Sequence, residues 1–149
     1  MVHAGDRLGP YLLRREIGEG GIAAVFIAEH TPSKVDVTLK VLRSEFVAQP
    51  QTLALFLGEP RALRAVEHEN TLEVTDVVAD APNPYFATEL LRGTTLAELL
   101  RRGSLGLPRA VHIARQVAAV LAHAHDVEVV HRNLKPVSVF LVTKDGTPD

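Results

Sequence analysis

The chain has 149 residues, enough for one ordinary domain with its own core. Its 16 Lys+Arg against 18 Asp+Glu offer neither a basic stripe for nucleic acid nor a polyacidic tail. The absence of cysteine excludes a disulfide scaffold and a Cys-based zinc site. No run of about 18 apolar residues and no basic-then-apolar leader occurs, so the sequence reads as cytoplasmic and soluble, with no membrane segment and no nucleic-acid partner.

Tyr11 to Ile17 reads as a first strand after the Gly9-Pro10 turn signal. It runs into Ile17-Gly18-Glu19-Gly20-Gly21-Ile22-Ala23-Ala24-Val25, a glycine cluster between two apolar runs. Such a cluster is a hairpin turn, or a loop whose bare backbone can close over phosphates. No Lys-Ser or Lys-Thr follows, which excludes a Walker-type phosphate loop. After the Thr31-Pro32-Ser33 turn, Val35 to Leu42 alternates at period two, with Val35, Val37, Leu39 and Val41 on one face and Asp36, Thr38 and Lys40 on the other. From Leu53, apolar Phe56, Leu57, Leu63 and Val66 recur at helical spacing, and His68-Glu69-Asn70 closes that helix. Leu72 to Val78 and Tyr85 to Leu90 read as strands separated by the Ala81-Pro82-Asn83-Pro84 turn.

Thr95-x-x-Glu98 is a capping box opening a short helix that stops at Gly103. Pro108 begins a long helix to about Asp126, whose apolar residues extend beyond one narrow stripe and call for protein on several sides. His123 and His125, two apart, do not share a helical face and read as structural or surface residues. The run Val130-His131-Arg132-Asn133-Leu134-Lys135-Pro136-Val137-Ser138-Val139-Phe140-Leu141 then crowds His, Arg, Asn, Lys and Ser into one loop between apolar flanks. Thr143-Lys144-Asp145-Gly146-Thr147 is a hairpin turn signal that asks for a returning strand.

That loop resembles the catalytic loop H-R-D-L-K-P-x-N of eukaryotic-like protein kinases, with Asn133 where the family has its catalytic Asp and Ser138 where it has its metal-binding Asn. The other motifs follow in family order. Gly18, Gly20 and Val25 match the glycine-rich loop, with Ala23 in place of its third glycine. Val37-Thr38-Leu39-Lys40 resembles V-A-I-K, Phe56 to Leu63 resembles the αC helix, and Pro84 to Gly93 resembles the last N-lobe strand and hinge. The whole is similar to a bacterial Ser/Thr kinase domain that stops before Asp-Phe-Gly.

The resemblance implies an α+β, protein-kinase-like fold. Residues 1–10 would be an N-terminal extension, 11–90 an antiparallel N-lobe sheet with one αC-like helix, and 91–149 the hinge and the first helices of an incomplete C-lobe. It implies ATP as cofactor, held by Ile17, Gly18, Gly20, Val25, Thr38, Lys40, Thr88, the hinge from Glu89 to Leu91, and Phe140. It implies Asn133, Lys135, Lys40 and Glu59 as the catalytic positions and Ser138 as a weak metal position.

Two expectations follow. Magnesium is held poorly, and phosphoryl transfer is impaired, leaving a chain that at most binds ATP. The alternatives are a scaffold that docks a protein partner on an exposed C-lobe surface without nucleotide, and the N-terminal piece of a longer active kinase. A further expectation comes from local propensity. Gly58 costs about 1 kcal/mol and Pro60 about 3 kcal/mol in a helix interior, so Glu59 is expected to be badly placed to pair with Lys40.

Overall fold

A computed structural model describes residues 2–19, 21–144 and 147–148. They fall into two units, Met1–Arg64 with Leu72–Leu90, and Ala65–Thr71 with Leu91–Asp149.

The first unit is a six-stranded antiparallel sheet in the order β1-β2-β3-β4-β6-β5. Its strands are β1 (Arg7–Leu8), β2 (Tyr11–Glu19), β3 (Ala23–His30), β4 (Val35–Leu42), β5 (Val74–Val78) and β6 (Tyr85–Glu89). Period-two alternation divides its apolar residues between two cores. Leu13, Phe26, Ala28, Val37, Leu39 and Val41 pack with Tyr11, Tyr85 and Ala87 on one face. Ala23, Leu42 and Phe86 pack on the other against Phe56 and Leu57 of the helix α2 (Pro50–Ala65). A four-residue helix, α1 (Ser44–Val47), leads into α2.

The alternation expected for Val35 to Leu42 is present, although Val35 at the strand's start is 56% exposed. The strand expected from Leu72 begins at Val74, and β1 was not anticipated. The turn after β1 depends on Gly9, whose φ of +54° is in the left-handed region and whose missing side chain leaves room for the Tyr85 hydroxyl, 2.5 Å from where a Cβ would stand.

The second unit contains β7 (Gly93–Thr95), α3 (Leu96–Arg101), α4 (Leu107–Asp126), a 3₁₀ turn (Pro136–Ser138), β8 (Phe140–Lys144) and β9 (Thr147–Pro148). β7, β8 and β9 form an antiparallel sheet in that order; the two-residue β9 corrects the expectation that, with only Pro148 and Asp149 after the turn signal, the returning strand is missing. The Asp145-Gly146 turn itself lies outside the described residues. The capping box is formed in full: the Thr95 hydroxyl accepts from the Glu98 N–H at 3.1 Å, and the Glu98 carboxylate accepts from the Thr95 N–H at 2.9 Å. α4 starts one residue before Pro108, with Pro108 in the first turn where its missing N–H costs nothing. Contrary to the enclosure its composition suggests, only Ile113 and Ala124 of α4 are buried.

Candidate functional site

Antiparallel register decides which side chains of the first sheet share a face, because directly paired residues point the same way. Gly18 pairs with Val25, Val25 with Lys40, and Lys40 with Phe86. In the next row Ile27 pairs with Thr38, and Thr38 with Thr88. The structure therefore brings Gly18, Val25, Thr38, Lys40 and Thr88 together on one face of one sheet, opposite the core that holds Leu39 and Ala87. Thr88 is buried at 3% exposure, whereas Ile17 sits in a bulge of β2 and is exposed. Gly20 lies outside the described residues. Ala23 is fully buried in the core beside Leu42 and Phe56, so its methyl serves packing.

Lys40 reaches from this face to α2. Its Nζ donates to Glu59 Oε2 at 2.6 Å, and it lies 5.7 Å from the centre of the Phe86 ring. This corrects the expectation that Glu59 is misplaced. α2 runs unbroken from Pro50 to Ala65 with Pro60 inside it. The helix starts ten residues before Pro60, with Pro50 at the first position where proline is favourable. Pro60 is itself fully buried on the face that carries Phe56 and Leu57, and Phe56 packs on Phe86 with ring centres 5.3 Å apart. Tertiary burial of that face offsets a local penalty of about 3 kcal/mol, which propensity alone does not register.

Phe86 and Ile27 were not singled out from the sequence as site residues. The signal available was the period of β6: Phe86 and Thr88 are two apart and must share a face.

Glu89 closes β6, and its N–H bonds the Glu73 carbonyl at 3.0 Å. Leu91 and Phe140, the other candidates for the nucleotide, belong to the second unit, where Phe140 opens β8 opposite Thr95 and is 37% exposed. Asn133, Lys135 and Ser138 lie together in the loop before β8. Arg132 takes a positive φ of 59°, and the Asn133 N–H then bonds the His131 carbonyl at 2.8 Å. Pro136 to Ser138 form one 3₁₀ turn closed by the Ser138 N–H on the Lys135 carbonyl at 2.8 Å. The Ser138 hydroxyl donates to the Asn133 carbonyl at 3.3 Å, so the one polar atom offered as a metal position already ties the loop together. A neutral hydroxyl is a weaker ligand for a divalent cation than a carboxylate. Among the described residues, no group of three or more His, Cys, Asp or Glu is arranged to hold a metal ion. His123 stands in α4 with its ring 5.8 Å from that of His68, both in the second unit.

The protein kinase domain model matches residues 11–147, nearly the whole chain. The chain belongs to the protein kinase family. Among curated proteins, it is 35% identical to the serine/threonine-protein kinase Pkn1 of Myxococcus xanthus over 95% of this chain and 20% of Pkn1. It is 34% identical to PknH of Mycobacterium tuberculosis over 95% of this chain and 22% of PknH. It is 30% identical to PrkC of Bacillus subtilis over 89% of this chain and 21% of PrkC.

The chain thus spans about a fifth of the length of these relatives. Among solved structures, the Mycobacterium tuberculosis PknI kinase domain superposes with a TM-score of 0.77 at 22% identity, covering 95% of this chain and 59% of that domain. These relatives and the fold place the chain among bacterial serine/threonine kinase domains, as a protein-kinase-like α+β structure. The family as a whole uses ATP and magnesium. Among the described residues of this kinase-domain chain, no helix is long and apolar enough to cross a membrane.

Proposed function

We propose that this chain is a kinase-domain segment that holds ATP and transfers its phosphate poorly. The observation that carries the nucleotide reading is the Lys40–Glu59 ion pair, on the sheet face that also presents Val25, Thr38 and Thr88. The pair aims an ammonium along a surface with a bare glycine at one end and apolar and hydroxyl side chains beside it. That combination suits phosphates beside a flat heterocycle. Lys40 would hold the phosphates, Val25 and Thr38 would lie against the adenine, and the backbone at Glu89, the end of β6, would bind its edge.

The case for impaired transfer rests on the loop. Asn133 can orient a substrate hydroxyl, but a side-chain amide does not accept its proton, and general-base catalysis is worth roughly 10²- to 10⁴-fold. Ser138 adds a weak neutral oxygen where the chemistry needs a metal ligand. Both losses fall on one electrostatic assembly, so their effects are not multiplied.

Isothermal titration with ATP, with and without magnesium, tests the nucleotide reading. Binding that falls at least about tenfold in Lys40→Met, with little help from magnesium, is expected. No heat at millimolar ATP would remove the reading. For the second half, Asn133→Asp alone is expected to leave phosphoryl transfer undetectable, because the metal position is still a serine. Measurable transfer by that single variant would overturn it.

A second reading is favoured by coverage: the chain spans about a fifth of its curated relatives and 59% of the solved PknI kinase domain. In it, the same residues form the N-terminal part of a longer active kinase. Phosphoryl transfer by the gene's full coding sequence, lost on Lys40→Met, would select this reading.

A further inference from the structure

Four side chains close a circuit around the Lys40 ammonium. Its Nζ donates to Glu59 Oε2 at 2.6 Å and lies over the Phe86 ring, 5.7 Å from its centre. Phe86 packs in turn on Phe56, with ring centres 5.3 Å apart. Phe56 and Glu59 are three residues apart in α2, which makes them neighbours on that helix and returns the circuit to the carboxylate. α2 therefore reaches the ammonium twice, directly through Glu59 and indirectly through the packed rings.

The two routes differ in their surroundings. The Glu59 side chain keeps 47% exposure, so water and salt weaken its hold. Phe86 is 2% exposed, in the core that also holds Leu42, Phe56 and Leu57. An aromatic face carries partial negative charge and attracts a cation within about 6 Å, more strongly where water is excluded. Strand pairing fixes where that ring stands, because Lys40 of β4 and Phe86 of β6 are directly opposed. The ring is neutral overall, so it holds the ammonium without cancelling the charge offered to a phosphate, as a second carboxylate would.

We infer that Phe86 is a positioning residue for Lys40: its ring face holds the ammonium against α2 and so sets where Lys40 meets the phosphates of a bound nucleotide. That consequence rests on the ATP reading, whereas the contact between ring and ammonium exists without ligand.

Phenylalanines with one, two and three ring fluorines in place of Phe86 nearly keep the size of the ring while draining negative charge from its face. Two readouts on the 149-residue chain follow this series. One is the rate at which N-hydroxysuccinimidyl acetate acylates the Lys40 amine without nucleotide, read by mass spectrometry. The other is the affinity for ATP, read by titration calorimetry. Lys40 acylation is expected to quicken stepwise and ATP to bind stepwise more weakly, each by about three- to tenfold for the trifluoro ring. The same series at Phe26, fully buried in the other core, is expected to move neither readout. Lys40 acylation that ignores the fluorines overturns the inference, and so does measurable ATP binding that ignores them. A matching change in the Phe26 series also overturns it, since the fluorines would then act by loosening the core. Graded acylation in a chain that binds no ATP supports the hold of Phe86 on Lys40 and strikes the nucleotide reading instead.

Discussion

Lys40 and Glu59 retain 29% and 47% exposure of their side chains, so the ion pair between them orients rather than stabilises. Exposed pairs of this kind contribute about 0–1 kcal/mol to folding. Tyr11 shows the opposite balance. It is buried, its hydroxyl donates to Asp76 Oδ2 at 3.2 Å, and its ring meets Tyr85 edge-on at 5.7 Å. Burial, and then the Asp76 charge, push its phenol from the ordinary 10.0 up to about 12. A folded value above the unfolded one means this group's stabilisation is full below pH 10 and is lost as pH climbs toward 12. Denaturant midpoints measured from pH 9 upward should therefore fall across that window. In Tyr11→Phe the fall should be smaller, from a lower starting stability, because Asp76 then lacks its donor.

At the scale of elements, α2 and α3 make opposite demands on local sequence. α2 tolerates Pro60, which removes the N–H that would have bonded the Phe56 carbonyl. Replacing Pro60 by alanine restores that bond and relieves about 3 kcal/mol, while deleting two buried methylenes costs about 1.6 kcal/mol before any cavity term. Pro60→Ala should therefore stabilise the chain by about 1 kcal/mol in urea titration, and a loss of stability would show that the buried ring matters more than the missing bond.

α3 depends instead on its first turn. Glu98 accepts from the Thr95 N–H and from the hydroxyls of Thr94 and Thr95, and these bonds hold its carboxyl down from 4.5 to about 2. The cap's contribution is full above pH 4.5 and is lost as the pH falls through 2. NMR of the Thr95 and Glu98 amides should report α3 opening over that range, and Glu98→Gln should abolish the pH dependence. This cap was legible because all its chemistry lies within four residues. The course of α2 was not, because its face is buried through partners distant in sequence, such as Phe86 against Phe56, which are visible only once β4 and β6 are paired. β1 and β7 escaped for another reason: two- and three-residue strands are too short to show a period, and Gly9 and Gly93 mark only that the chain turns.

At the scale of the molecule, apolar burial is divided unequally. Phe26, Leu13, Leu39, Val41, Phe56 and Phe86 all belong to the first unit, whereas among the described residues the buried hydrophobics of the second are Val66, Ile113 and Ala124. Fully burying one large apolar side chain is worth about 1.5–3 kcal/mol, so this difference in core outweighs the second unit's caps and turns, which contribute about 1 kcal/mol each. Its backbone geometry is also exacting at Gly93, whose φ is +154° and where an added Cβ would collide with the Leu141 carbonyl oxygen. Native-state hydrogen exchange should separate the two units. Amides of β3, β4 and β6 should exchange by near-global unfolding, and those of α4 and β8 through much cheaper local opening. Gly93→Ala should accelerate exchange in β7 and β8 while leaving β3 and β4 slow. Equal acceleration in both units would mean that they unfold as one, and that the uneven core does not set the order in which this chain opens.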